Sequence, residues 1–181
     1  MMHEHVVTVF GSSRPKPGEP EYILAYDLGR ELAHAGLVVC NGGYAGVMEA
    51  SARGAKLGGG KTVGIICNAF PGKSANQWID IVHSERTLID RMMKLIATGE
   101  AYVVLKGGTG TLLELAAVWE IMNKGLMPER PILTLGDFWN GVVETLKDEL
   151  AWEGLQDCRR FVTPVATPQD CVQTLRRGFS E

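Results

Sequence analysis

Residues 101–114 read Ala-Tyr-Val-Val-Leu-Lys-Gly-Gly-Thr-Gly-Thr-Leu-Leu-Glu. An apolar run, Ala101–Leu105, enters a glycine-rich turn, and a helix-like segment to about Lys124 leaves it. An apolar run without polar alternation predicts a strand covered on both faces, as in a parallel sheet. A glycine turn between such a strand and a helix lets the backbone approach a ligand closely. It also aims free amides at an anion.

The same alternation runs in both directions from this stretch. Upstream, strands are predicted at Val6–Gly11, Leu37–Cys40, Thr62–Cys67 and Ile79–His83. Helices are predicted over Glu21–Ala35, from about Ala45 to Leu57, and over Arg86–Thr98. In the first helix Leu24, Leu28, Leu32 and Ala35 share one face, and Gly36 stops it. Downstream come a strand at Pro131–Leu135, a helix from an Asp137 N-cap to about Leu150, a strand at Phe161–Val165 and a helix over Gln169–Arg177. This order predicts a single-domain Rossmann-like α/β fold over residues 1–181, with a mostly parallel sheet and helices on both faces. Residues 68–78 form the longest irregular stretch, open to reading as a mobile flap or a surface loop.

Bulk properties narrow the function classes. The 181 residues are 45% hydrophobic and 22% charged, with a net charge of −3. That balance argues against a nucleic-acid surface, which needs a basic excess. No apolar run reaches membrane-spanning length. The opening Met-Met-His-Glu-His carries no basic segment followed by an apolar one, so no secretory signal is expected. Cys40, Cys67, Cys158 and Cys171 form no metal or redox spacing and read as reduced thiols of a cytoplasmic protein. No metal and no cofactor is expected.

Three loops stand at the carboxyl ends of predicted strands, where open α/β sheets bind ligands. Gly11-Ser12-Ser13-Arg14 offers two hydroxyls. Asn41-Gly42-Gly43-Tyr44-Ala45-Gly46-Val47-Met48 opens a helix; it is neither a dinucleotide fingerprint nor a P-loop. In Lys106–Glu114 the amides of Gly108, Thr109, Gly110 and Thr111 form a candidate phosphate cradle, helped by the two threonine hydroxyls. By spacing, Thr111 and Glu114 also fit a capping box, and Arg91 fits an ordinary solvated or salt-bridged helix residue. The helix after Thr111 carries Trp119, Ile121 and Met122 beyond the face the sheet needs, a candidate association surface.

Taken together, Gly11-Ser12-Ser13, GGYAGVM at 42–48 and KGGTGTLLE at 106–114 resemble the LOG (Lonely Guy) family across roughly residues 6–150. The resemblance implies a Rossmann-like homodimer or higher homo-oligomer. It also implies hydrolysis of a nucleoside 5′-monophosphate, of AMP or cytokinin-ribotide type, to free base and ribose 5-phosphate. It assigns the catalytic pair to Arg91 and Glu114. Phosphate and substrate contacts fall on Gly107, Gly108, Gly110 and Thr111, on Ser12 and Ser13, and on Met48. The chain departs from the family pattern at Asn41, Glu49, Met92, Lys106 and Leu113. Molybdenum-cofactor carriers share the fold and bind without hydrolysing, so a non-catalytic nucleotide or cofactor carrier is the alternative. A lysine decarboxylase is disfavoured, because no pyridoxal phosphate site is recognisable.

Overall fold

A computed structural model describes residues 4–179; Met1–His3, on which part of the signal reading falls, lie outside the described residues. Seven strands form one wholly parallel sheet in the order β4-β3-β2-β1-β5-β6-β7. They are β1 (Val6–Phe10), β2 (Val38–Asn41), β3 (Thr62–Cys67), β4 (Ile81–Glu85), β5 (Ala101–Val104), β6 (Ile132–Leu135) and β7 (Val162–Val165). The helices are α1 (Pro20–His34), α2 (Val47–Leu57), α3 (Leu88–Thr98), α4 (Thr109–Asn123), α5 (Asn140–Trp152) and α6 (Pro168–Gly178).

Two apolar cores sandwich the sheet. On one face α1, α2 and α6 contribute Leu28, Leu32, Ala50 and Leu175. On the other α3, α4 and α5 contribute Leu95, Leu115, Trp119 and Val143. Chain direction across the sheet reverses between β1 and β5, so the loops after these two strands part and leave a crevice at their carboxyl ends. Ser12 N–H donates to Lys106 O at 3.1 Å across it.

Helices α1 and α2 approach until backbone meets backbone. A Cβ on Gly29 would strike the Ser51 carbonyl, and one on Gly54 would strike that of Tyr26. Sequence clustering draws attention to loop glycines and passes over these two, which are isolated within helices.

Several expected boundaries move, each for a local reason. The fourth strand begins at Ile81 rather than Ile79, because Asp80 turns the chain there: its amide donates to Thr62 Oγ1 and its carboxylate accepts Thr62 N–H. This strand is also an edge and is not covered on both faces, with Ile81 and Val82 about half exposed. Helix α2 begins at Val47 rather than Ala45, since Gly46 holds φ +68° as its N-cap. Helix α3 begins after Thr87, whose hydroxyl accepts Asp90 N–H at 3.0 Å. Asp137 does not cap α5. The N-cap is Trp139, whose indole N–H is drawn inward to Leu105 O at 2.9 Å. A short 3-10 helix, Gln156–Phe161, precedes β7.

Candidate nucleotide site at the switch point

The centre of the site is Arg91, in the first turns of α3, yet only 7% exposed. An unpaired buried guanidinium is costly, so its neighbours must accept its protons. Nε donates to Ile65 O at 2.7 Å. Nη2 donates to Gly42 O at 3.1 Å and lies 3.8 Å from the Met48 sulfur. The Tyr44 ring sits under the guanidinium carbon at 5.4 Å. Nη1 has no protein acceptor among the described residues. Arg91 is therefore a seated cation with one nitrogen left for a ligand, not a solvated or salt-bridged surface residue.

The turn that seats it is built by the sequence around it. Gly42 must be glycine, because a Cβ there would enter the guanidinium. Gly43 holds φ +76°. Asn41, fully buried, accepts Gly43 N–H at 2.8 Å and donates to Met48 O and Ser51 Oγ. This departure from the family pattern holds the chain segments that carry two of Arg91's contacts. Gly46 lets Ser12 and Ser13 pack directly on the turn, and Val47 N–H donates to Ser12 O at 2.9 Å. Tyr44, which the sequence reading did not single out, donates its hydroxyl to Cys67 O and accepts Cys67 N–H. Segment 68–78 is latched to this turn. Asn76 donates to Gly43 O and Tyr44 O, while Phe70 and Lys73 pack on the Tyr44 ring.

The second turn is open. Gly108 is the N-cap of α4, and Thr109, Gly110 and Thr111 are its first three residues. Their amides precede any carbonyl partner within the helix. Gly107 has room only for hydrogen, since the Thr111 hydroxyl fills its Cβ position. Cβ atoms on Gly108 and Gly110 would meet nothing within 4 Å. The helix starts two residues before Thr111, so Thr111 and Glu114 make no capping box.

Glu114 is instead turned toward the site from the second turn of α4. Surrounding protein raises its pKa to about 7, and the Arg91 charge pulls the other way. Burial wins, because none of Arg91's hydrogen bonds reaches Glu114. The fold thus brings Arg91, Glu114, Met48, both serines and both glycine turns to one end of the sheet. Trp119 and Met122 do not form an association surface. They are buried in the core beneath α4, and the apolar side chains that α4 exposes are Leu112 and Leu113.

Among the described residues no group of three or more His, Cys, Asp or Glu could hold a metal, and no helix is long and apolar enough to cross a membrane. All four cysteines are free thiols.

A doubly wound parallel sheet with an open glycine turn at its switch point defines a Rossmann-like α/β protein. The chain belongs to the SLOG cluster4 family, which matches residues 4–150. A probable cytokinin riboside 5′-monophosphate phosphoribohydrolase of Oryza sativa subsp. japonica is 31% identical over 174 residues, 92% of this chain and 69% of that protein. A cytokinin riboside 5′-monophosphate phosphoribohydrolase of Rhodococcoides fascians is 31% identical over 134 residues, 72% of this chain and 67% of that one. The chain spans about two thirds of the length of the curated relatives it matches. Among solved structures, the molybdenum cofactor carrier protein of Chlamydomonas reinhardtii superposes with a TM-score of 0.80, covering 99% of this chain and 100% of that one. At 19% identity this likeness concerns the fold.

Proposed function

We propose that the protein is a phosphoribohydrolase that cleaves the N-glycosidic bond of a nucleoside 5′-monophosphate, AMP or a cytokinin ribotide. The observation that carries this reading is a buried Arg91 close enough to act electrostatically on Glu114, beside a helix-opening glycine turn where a Cβ on Gly108 or Gly110 would meet no protein atom within 4 Å. The 5′-phosphate sits on the amides of Gly108–Thr111, with the Ser12, Ser13 and Thr109 hydroxyls beside it. Arg91, immobile on Ile65 and Gly42, presents Nη1 to the ribose or phosphate oxygens. As the bond to the base breaks, positive charge builds on the ribose, and the Glu114 carboxylate stabilises it and orients water. Water adds hydroxyl to the sugar carbon, and its proton leaves with the base.

The ionised form of Glu114 is the working form, so base release rises with pH through about 7. The test is adenine release from AMP. Glu114→Gln binds AMP but loses on the order of 10²–10⁴ in rate. Release by Glu114→Gln at the wild-type rate defeats the assignment.

A non-catalytic nucleotide or molybdenum-cofactor carrier is favoured by one observation. Leu113 is exposed where the family pattern has an acid, and α4 carries no acid in its first turn. AMP binding by wild type without adenine release selects this reading.

We also propose a homodimer through the exposed apolar residues Leu88, Ile89 and Met93 of α3 and Leu112 and Leu113 of α4. A monomeric mass by light scattering removes it. The four free thiols suit the cytoplasm as its compartment.

A further inference from the structure

The stretch between β3 and β4, residues 68–78, has two fixed stems. At its start Asn68 N–H donates to Glu85 O at 2.9 Å, and Ser84 Oγ donates to Asn68 Oδ1 at 2.6 Å. At its end Thr62 Oγ1 donates to Trp78 O at 2.7 Å, and the Arg53 guanidinium carbon lies 5.6 Å from the Trp78 ring centre. Lys56 then holds Asp80 at 2.7 Å. Between these stems the segment closes on Tyr44. Phe70 meets the Tyr44 ring at 72°, with 5.8 Å between ring centres. Lys73 Nζ lies 5.7 Å from the centre of the same ring, and Asn76 Nδ2 donates to Tyr44 O at 2.8 Å.

The Tyr44 hydroxyl is committed twice to one residue: it accepts Cys67 N–H at 2.8 Å and donates to Cys67 O at 3.2 Å. Arg91 Nε donates to Ile65 O, two residues earlier on the same strand. Strand β3 therefore holds the ring and the guanidinium at once, the ring centre 5.4 Å from the guanidinium carbon. Two acceptors, Ile65 O for Nε and Gly42 O for Nη2, define an axis. Rotation about that axis is what a third contact removes, and the Tyr44 ring supplies it. Nη1, the nitrogen left for a ligand, lies farthest from the axis, so a tilt would move it most. Among the described residues none of the groups hydrogen-bonded to Arg91 is a carboxylate, so the negative face of the ring is also electrostatic support.

We propose that Tyr44 is a positioning residue for Arg91, and that segment 68–78 is the clamp that holds it. Tyr44 acts through Arg91 and not on the substrate. Its ring blocks the tilt of the guanidinium, its hydroxyl ties the ring to β3, and Phe70, Lys73 and Asn76 close on it from the segment. The stretch that the sequence left open between flap and surface loop thus has a task at the site. The inference rests on the reading of Arg91 as the group that aligns the nucleotide for cleavage, and it adds the residue and the loop that keep that group aligned.

Two measurements test it. The first needs no substrate: the Arg91 Nε–H signal in a proton–nitrogen correlation spectrum, assigned by its loss in Arg91→Lys. In wild type this proton exchanges slowly with water, because Ile65 O holds it. In Tyr44→Leu its exchange quickens by about tenfold or more. Tyr44→Phe keeps the ring and loses the tie to Cys67, so its exchange falls between the two; it decides the matter if Tyr44→Leu fails to fold. The second measurement is adenine release from AMP. Tyr44→Leu lowers kcat by on the order of ten- to a hundredfold, with KM for AMP within about threefold of wild type, since the phosphate keeps its main-chain amides. In an Arg91→Lys background the same substitution lowers kcat no further. Unchanged Nε–H exchange in the Tyr44 variants overturns the inference. A loss in kcat that multiplies with that of Arg91→Lys also overturns it, because it marks a role apart from Arg91. Wild type that releases no adenine removes the phosphoribohydrolase reading alone, and the Nε–H exchange then decides the positioning of Arg91 by itself.

Discussion

At Gly42 a side chain would enter the Arg91 guanidinium and crowd the Met48 sulfur, whereas at Gly108 and Gly110 a Cβ would meet no protein atom within 4 Å. The two turns hold similar glycines in the same topological place, each between a strand and a helix. In the first turn the protein itself explains them: the room is taken by Arg91, Ser12 and Ser13, and Gly43 and Gly46 need positive φ. In the second, neither packing nor φ at Gly108 and Gly110 requires glycine. A glycine that the fold does not need points to an occupant from outside. The first turn is a seat for a side chain and the second is a cradle for a ligand.

This contrast can be broken by substitution. The largest effect is expected from Gly108→Val, which fills the cradle from its open side. Nucleotide affinity falls by on the order of a hundredfold, while the unliganded protein loses no more than about 1 kcal/mol by urea denaturation, the cost of a β-branched residue at an N-cap. A larger loss would mean that the fold needs this glycine after all. Gly42→Ala does the reverse. Overpacking against Arg91 costs about 1–3 kcal/mol of stability by urea denaturation. An unchanged midpoint would show that Arg91 is easily displaced and hence not seated. Asn41→Ala sharpens the same point. It leaves the Gly43 amide buried without an acceptor, at a cost of about 1–3 kcal/mol, while Ser51→Ala costs less.

Glu114 gives a pH signature to the cradle side. Its folded pKa lies above its unfolded value, so between about 4.5 and 7 the native state holds more of this proton than the unfolded chain does. Stability therefore falls as pH rises through that window, by about 1–2 kcal/mol after allowance for partial solvent access, and levels off above it. Glu114→Gln lacks this component; identical pH profiles of variant and wild type would contradict the raised pKa. The smallest effect is expected at Gly110→Ala, in the first turn of α4 and facing open space: a stability change within about 0.5 kcal/mol.

Most of the fold was legible because apolar runs and helical periodicity agree with the sheet order from β1 to α6. What slipped were the starts of elements, which side-chain and backbone caps decide. Thr87, Gly46 and the Trp139 indole each override the apolar pattern locally. The edge position of β4 was hidden because Ile81 and Val82 are as apolar as a buried strand. At the site, the cradle could be read from spacing, since its parts are consecutive. The seat of Arg91 could not. It is made of main-chain carbonyls 26 and 49 residues away, and carbonyls have no residue type to recognise. The motif resemblance marked Arg91; its hydrogen bonds explain why an arginine can sit there almost wholly buried.

The close approach of α1 and α2, with Gly29 against the Ser51 carbonyl and Gly54 against that of Tyr26, has a mechanical consequence. Helices locked backbone to backbone behave as one stiff plate, and that plate carries both the Ser12–Ser13 loop and the Gly42–Gly46 turn at its rim. Any breathing that admits or releases a guest must then fall to the opposite bank, where α4 begins at the cradle.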